Sequence, residues 1–354
     1  MKELWKGNEA IAEAAVRAGC RLYIGYPITP QSEIVEYMST RMPELGRVFI
    51  QSESELISIN TVFGASLTGA RCMTSSSGVG ISLMQEGLTA CFAKGLCPLI
   101  INVNRSGNGM GGGTGFAGCQ DDYTRETHGG GNGYYRYLVY IPSSIQEAVD
   151  MTYVAWDIAE KYRNPVEIYT EGRLGQMMEA VEFPDFKTPD IQAWGIDGTT
   201  KPMPEYHTMM APSEYGLFAE RIRRMEENEQ SWESWLTEDA ETVIIAVGLC
   251  SRVCRGVIAR LRAEGKKIGM LRPKAVWPFP LKGFAALPGT VKKLICVENS
   301  DGQQMLEDVL VATKKLPDLQ QIPVYSNAQM GLISSYELRM FLAGVEDGSI
   351  KEVY

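Results

Sequence analysis

Apolar positions in the first half of the chain fall into two alternating patterns. Short continuous runs recur at Leu22-Tyr23-Ile24, Val48-Phe49-Ile50, Cys72-Met73-Thr74, Pro98 to Val103, Tyr137 to Ile141 and Val166 to Tyr169. Runs of that length and content predict strands buried on both faces. Between them, apolar residues return every three or four positions. Asn8 to Ala18 carries Ile11, Ala14 and Ala15, and Pro30 to Met42 reads as a helix closed by Pro43. Glu53 to Thr68 carries a stripe of Leu56, Ile59, Phe63 and Leu67, and further helices run through Leu83, Gly87 and Ala90 and from Ser144 to Tyr162. This strand–helix alternation predicts an α/β fold, a doubly wound parallel sheet over residues 1–180.

The pattern breaks from about Val181 to Asp239. Five prolines (184, 189, 202, 204 and 212) precede the charged, helix-like ERIRRMEENEQSWESW, which reads as a linker and an arm over 181–239. From Thr242 the alternation resumes, and 240–354 reads as a second, smaller α/β domain.

The densest chemistry lies between Gly25 and Glu55. Pro27 and Pro30 bracket Ile28-Thr29 and push the residues before them toward extended geometry, so a strand ends here in a fixed turn. Thr29 is placed to cap a helix whose first residue is Pro30. Glu53 and Glu55 fall in the first turn of the next helix. Both turns therefore lie at carboxyl ends of parallel strands, where open α/β sheets bind ligands. Thr29 reads equally as a cap alone, and Glu55 as an acid favoured by the helix dipole. Glu55, however, shares a helical row with Ile59 and Val62, and a carboxylate on an apolar row calls for a partner. Arg105 stands just beyond another strand; it either pairs with Asp121, Asp122 or Glu126 or binds an anion.

A net charge of -9 argues against a nucleic-acid surface, and no apolar stretch is long enough to span a membrane. The amino terminus has acidic residues where a signal peptide has its apolar region. Eight scattered cysteines read as reduced and cytoplasmic, and the Cys250/Cys254 spacing has no matching pair, so no metal site is expected in this chain. The formal G-x-G-x-x-G at Gly107, Gly109 and Gly112 is followed by no amphipathic helix, so a loop over the crevice is the better reading. The SSSGVG turn, which includes Ser77, is able to hold an anion on backbone amides but lacks the lysine of a P-loop.

Four segments together, GYPITPQSE, ESELISINTVFGASLTGARCMTSSSGVGISLMQE, KYRNPVEIYTEGRLGQMME and LRPKAVWPFP, resemble the α subunit of 2-oxoacid:ferredoxin oxidoreductases, of the 2-oxoisovalerate and 2-oxoglutarate type. The resemblance implies a pyrimidine-binding thiamine diphosphate domain followed by a transketolase-C-terminal-like domain. It implies oxidative decarboxylation of a 2-oxoacid to acyl-CoA and CO₂ with reduction of ferredoxin. Glu55 aligns with the glutamate that hydrogen-bonds N1′ of the aminopyrimidine, and Thr29 with a threonine near the 4′ amine. Arg105 aligns with the arginine that binds the 2-oxoacid carboxylate. Tyr26, Pro27, Ile28 and Ser77 join Thr29 and Glu55 as cofactor-binding positions.

The GDG-type diphosphate motif and ferredoxin-type cysteine runs are missing from this chain. The resemblance therefore implies a β subunit holding diphosphate, Mg²⁺ and a [4Fe-4S] cluster, with γ and ferredoxin-like δ subunits completing the electron route. Coenzyme A would be the acyl acceptor. The family usually follows its arginine with RGGPG or RGGPS, whereas here Arg105 leads into SGNGMGGG. Ser106 to Cys119 offers Met110 and Phe116 but no second cation, which favours a branched-chain or aromatic 2-oxoacid over 2-oxoglutarate or pyruvate. A non-oxidative thiamine enzyme subunit and a non-catalytic scaffold are the alternatives.

Overall fold

The computed structural model describes residues 2–105, 120–198, 215–300, 302–329 and 331–353. In chain order it opens with β1 (Glu3–Lys6), α1 (Gly7–Arg17), β2 (Leu22–Gly25), α2 (Ser32–Glu44), β3 (Val48–Gln51) and α3 (Glu55–Ser66). Next come β4 (Cys72–Ser76), α4 (Val79–Ala93), β5 (Leu99–Asn104), α5 (Tyr123–His128), β6 (Leu138–Tyr140), α6 (Ile145–Tyr162), β7 (Val166–Glu171), α7 (Gly172–Gln176) and β8 (Met178–Val181). The remainder is α8 (Tyr215–Asn228), β9 (Trp232–Trp235), β10 (Thr242–Ala246), α9 (Gly248–Ala263), β11 (Ile268–Pro273), β12 (Ala275–Trp277) and α10 (Leu281–Ala285). It closes with β13 (Lys293–Glu298), α11 (Gln304–Lys315), β14 (Val324–Ala328) and α12 (Ser335–Asp347).

The larger sheet has the order β12-β6-β7-β5-β4-β2-β3, parallel throughout except for the antiparallel edge strand β12. Helices cover both faces, which is why every residue of β5, LIINVN, is buried. The smaller sheet runs β14-β13-β10-β11-β9, with β9 antiparallel at its edge. The order of the strands switches between β2 and β4 in the larger sheet and between β10 and β13 in the smaller. Such switch points leave a crevice at the carboxyl ends of the strands.

Several local readings are corrected. Helix α2 begins at Ser32 behind Gln31, so Thr29 is not its N-cap and Pro30 is not its first residue. Helix α3 begins at Glu55, capped by Ser54 Oγ accepting from the Ile57 amide at 3.3 Å, so Glu53 lies outside it. Its buried row is Glu55, Ser58, Ile59 and Val62, while Leu56 and Ile57 remain almost half exposed.

The segment read as linker and arm holds two packed elements: β9 pairs with β11, and α8 lies on the larger domain. There Arg221 donates to the carbonyls of Phe92 (2.6 Å) and Arg163 (2.8 Å). The LRPKAVWPFP motif crosses between the domains. β11 belongs to the smaller sheet, and only Lys274 separates it from β12, which pairs with β6 in the larger one. At this crossing Arg272 donates to both oxygens of Glu147 on α6, at 2.7 and 2.9 Å, and to Glu233 of β9 at 3.0 Å. Burial alone would push the Glu147 carboxyl up, but Arg272 and Lys274 hold it down at about 2.

Candidate active site

The larger switch point is built from three strand ends and one helix start. From β2 comes the Tyr26–Gln31 turn, in which the Thr29–Pro30 peptide is cis. The turn is pinned from below: Gln31 Nε2 donates to the Tyr26 carbonyl at 2.8 Å, and Gln31 Oε1 accepts from Ser75 Oγ at 2.8 Å. Asn8 Nδ2 and Gln176 Nε2 donate to the Pro30 carbonyl at 2.7 and 3.3 Å. These bonds hold Thr29 exposed at the mouth while Pro30 and Gln31 are buried behind it.

From β4 comes the Ser76–Gly80 turn. Gly78 has φ +48, a backbone region that glycine tolerates and other residues rarely adopt. Ser76 Oγ donates to Glu55 Oε1 at 3.3 Å, and Glu55 is only 5% exposed. A Cβ on Gly80 would lie 2.0 Å from Ser76 Oγ and 2.4 Å from Glu55 Oε1, so only glycine leaves room beside the carboxylate. The Ser77 hydroxyl is fully buried and has no hydrogen-bond partner among the described residues.

From β5 comes Arg105, whose Nη1 donates to the Thr29 carbonyl at 3.1 Å. A Cβ on Gly78 would lie 3.2 Å from Arg105 Nε, so the guanidinium rests over this turn. Asp122 and Glu126, considered above as partners for Arg105, are engaged by Arg125 instead. Arg105 thus joins Thr29 at the Gly78 end of the turn, and Glu55 meets the same turn at Ser76 and Gly80. The loop Ser106 to Cys119, with Met110 and Phe116, lies outside the described residues.

Thr29, Glu55 and Arg105 were singled out in the sequence, whereas Gln31, Ser75, Ser76 and Gly80, which pack against them and their turns, were not. Ser76 and Gly80 sit within the SSSGVG turn already singled out, and their signal was its position after a strand. Gln31 had no such signal.

A carboxylate and a guanidinium set at one turn suit a ligand with a protonated ring at one end and an anion at the other. Residues 13–245 match the family described as pyruvate flavodoxin/ferredoxin oxidoreductase, thiamine diP-binding, and residues 240–333 match pyruvate:ferredoxin oxidoreductase core domain II. The chain belongs to the 2-oxoacid:ferredoxin oxidoreductase family.

It is 42% identical over 320 residues to the ketoisovalerate oxidoreductase subunit VorB of Methanothermobacter thermautotrophicus, covering 88% of this chain and 90% of the relative. It is 32% identical over 345 residues to the 2-oxoglutarate synthase subunit KorA of Methanocaldococcus jannaschii, covering 88% and 92%. The solved 2-oxoglutarate:ferredoxin oxidoreductase from Magnetococcus marinus, with 2-oxoglutarate, coenzyme A and succinyl-CoA bound, superposes with TM-score 0.81 at 25% identity. That match covers 98% of this chain and 65% of the other. Family and fold class therefore stand as the sequence led us to expect, and the chain is an α-type oxidoreductase subunit. No helix among the described residues is long and apolar enough to cross a membrane.

Proposed function

We propose that this chain is the pyrimidine-binding subunit of a heteromeric, cytoplasmic 2-oxoacid:ferredoxin oxidoreductase. The complex would convert a branched-chain or aromatic 2-oxoacid and coenzyme A to acyl-CoA and CO₂. The observation that carries this reading is the buried Glu55 carboxylate at the head of α3, facing the same turn as Arg105 and Thr29.

The residues fit the pyrimidine end of thiamine diphosphate. Gly80 leaves a floor of bare backbone beside Glu55, and the orphaned Ser77 hydroxyl offers an unused polar contact. When bound, that cofactor supplies a carbon nucleophile and an electron sink for decarboxylation. Glu55 would hold a proton shared between its carboxylate and a ring nitrogen, fixing the ring tautomer, and Ser76 would keep the carboxylate turned inward. Thr29 would offer its hydroxyl at the mouth, with Tyr26, Pro27 and Ile28 as the wall. Arg105 would take the 2-oxoacid carboxylate on its planar fork.

The chain has no GDG-type motif for the diphosphate, and an apolar rim surrounds the site. Ile50, Leu56, Ile57, Val79 and Leu83 are each between 39% and 52% exposed. Such a rim supports a β subunit seated here, bringing diphosphate and Mg²⁺ to the same crevice. [4Fe-4S] clusters in the β and ferredoxin-like δ chains, with a γ chain, would carry electrons singly to ferredoxin.

For the substrate, identity is higher to the ketoisovalerate subunit than to the 2-oxoglutarate subunits, in line with a loop that lacks a second cation. The solved structure holding 2-oxoglutarate supports that acid as the second reading. The assembled complex should give its highest kcat/KM on 2-oxoisovalerate or phenylglyoxylate among a panel with pyruvate and 2-oxoglutarate. Arg105→Ala should raise KM on all four alike. A clear preference for 2-oxoglutarate would refute the substrate reading, and an Arg105→Ala enzyme with unchanged KM would refute the anion role.

A further inference from the structure

Behind the Ser76–Gly80 turn lies a charged cluster that the proposed reaction does not use. Arg125 of α5 is its centre. Its Nη1 donates to the Gly78 carbonyl at 3.0 Å and to Ser82 Oγ at 2.8 Å, so one edge of the guanidinium grips the turn and the first turn of α4. Its other nitrogens meet Asp122 at 2.6 Å and Glu126 at 2.6 Å. Glu126 in turn accepts from Asn102 Nδ2 at 2.9 Å and Tyr137 OH at 2.7 Å, tying the cluster to β5 and to the segment before β6.

Glu167 of β7 adds a third carboxyl and is wholly buried. Neither of its oxygens, nor Asn102 Oδ1, meets a donor among the described residues. Burial, and then Glu126, push the Glu167 carboxyl well above its ordinary range. Burial disfavours the charge of Arg125, but Glu126 and Asp122 beside it outweigh that and push its guanidinium up.

We propose that Arg125 is a positioning residue that sets the Ser76–Gly80 turn, and through it both Glu55 and Arg105. The geometry makes this one contact act on both residues, because they meet the same turn. The turn carries Ser76, which orients Glu55, and Gly78, on which Arg105 rests. The Gly78 carbonyl also accepts the first helical bond of α4, from the Ser82 amide at 3.2 Å, so Arg125 holds the point where turn becomes helix. Lysine would keep the cationic charge among the carboxylates but lacks the fork needed to reach Gly78 and Ser82 together. The role rests on the reading of Glu55 and Arg105 given above.

The test compares Arg125→Lys and Ser82→Ala with wild type in the assembled complex at saturating thiamine diphosphate. Ser82 is exposed, so its alanine variant folds even where the lysine variant does not. A displaced turn should lower kcat and raise the 2-oxoacid KM together, about tenfold or more in each for Arg125→Lys and about threefold for Ser82→Ala, with the melting temperature of Ser82→Ala unchanged. A merely structural residue would reduce the fraction of active enzyme and leave KM alone, and that pattern in both variants would overturn the proposal. Glu55→Gln serves as the separating control. If it turns over normally, the site reading fails. If it is inactive while Arg125→Lys and Ser82→Ala behave as wild type, only the positioning role fails.

Discussion

The two sheets share one architecture but treat their switch points in opposite ways. In the larger sheet the crevice between β2 and β4 opens to the surface, and Thr29, Arg105 and the apolar rim are at least partly exposed. In the smaller sheet the equivalent crevice between β10 and β13 is plugged by the chain itself. Gln120 exchanges hydrogen bonds with Asn299, accepting from its amide at 3.1 Å, and donates to the Val247 carbonyl at 3.3 Å. Glu171, at the end of β7, accepts from the Leu249 amide at 2.9 Å and from Gln120 at 3.2 Å. A doubly wound sheet provides a place for chemistry at its switch point, but whether that place is used depends on what fills it. Here one crevice stays open to the surface, and the other is closed by the chain's own hydrogen bonds.

Filling the open crevice is expected to have the largest effect. Gly80→Ala would put a methyl group onto Glu55 Oε1 and Ser76 Oγ, and turnover by the assembled complex should fall by about 10²-fold or more. Near-normal kcat for this variant would mean that the carboxylate does not work from the position seen here.

The plugged crevice is instead expected to respond to pH. Burial pushes the Glu171 carboxyl up to about 7 from its ordinary 4.5. With the folded value raised, the stabilisation is complete below about 4.5 and is lost as pH rises toward about 7, after which it stays flat. One proton over that interval is worth about 3 kcal/mol. Glu171→Gln keeps the acceptor for Leu249 and Gln120 but cannot ionise. Denaturant midpoints at pH 5 and pH 8 should therefore fall further for wild type than for the variant. Parallel shifts would show that the plug does not titrate.

The smallest effect should come from removing the plug's neutral member. Gln120→Ala would leave the Asn299 amide and the Val247 carbonyl short of partners, at a cost of about 2 kcal/mol in unfolding free energy. A variant as stable as wild type would mean that water replaces the side chain without penalty, and the second crevice is then less sealed than its hydrogen bonds suggest.

What was legible beforehand followed from range along the chain. The strand–helix units and the convergence of Thr29, Glu55 and Arg105 on one crevice depend on local signals: apolar runs, prolines, and residues placed just past strand ends. The supporting groups depend on contacts between distant segments. Gln31 matters because Ser75, 44 positions away, donates to it. Arg125 pairs with Asp122 and Glu126, two of the carboxylates first considered for Arg105, a choice that turns on how α5 packs under the Ser76–Gly80 turn. The three-residue strand β12 and the four-residue β9 are too short to show a period, so their sheets became visible only in three dimensions.

The crossing at Lys274 limits how this chain can be divided. A cut near residue 240 looks natural from the linker, yet the edge of the larger sheet is supplied from beyond it. Ala275 pairs with Tyr140 and Trp277 with Val139. An amino-terminal half made alone would present the bare edge of β6, lined by buried apolar residues and ready to pair with another chain. It would also leave Glu147 without Arg272. The two domains are thus modules by fold but not by manufacture: the first is finished only after the ribosome has passed well into the second.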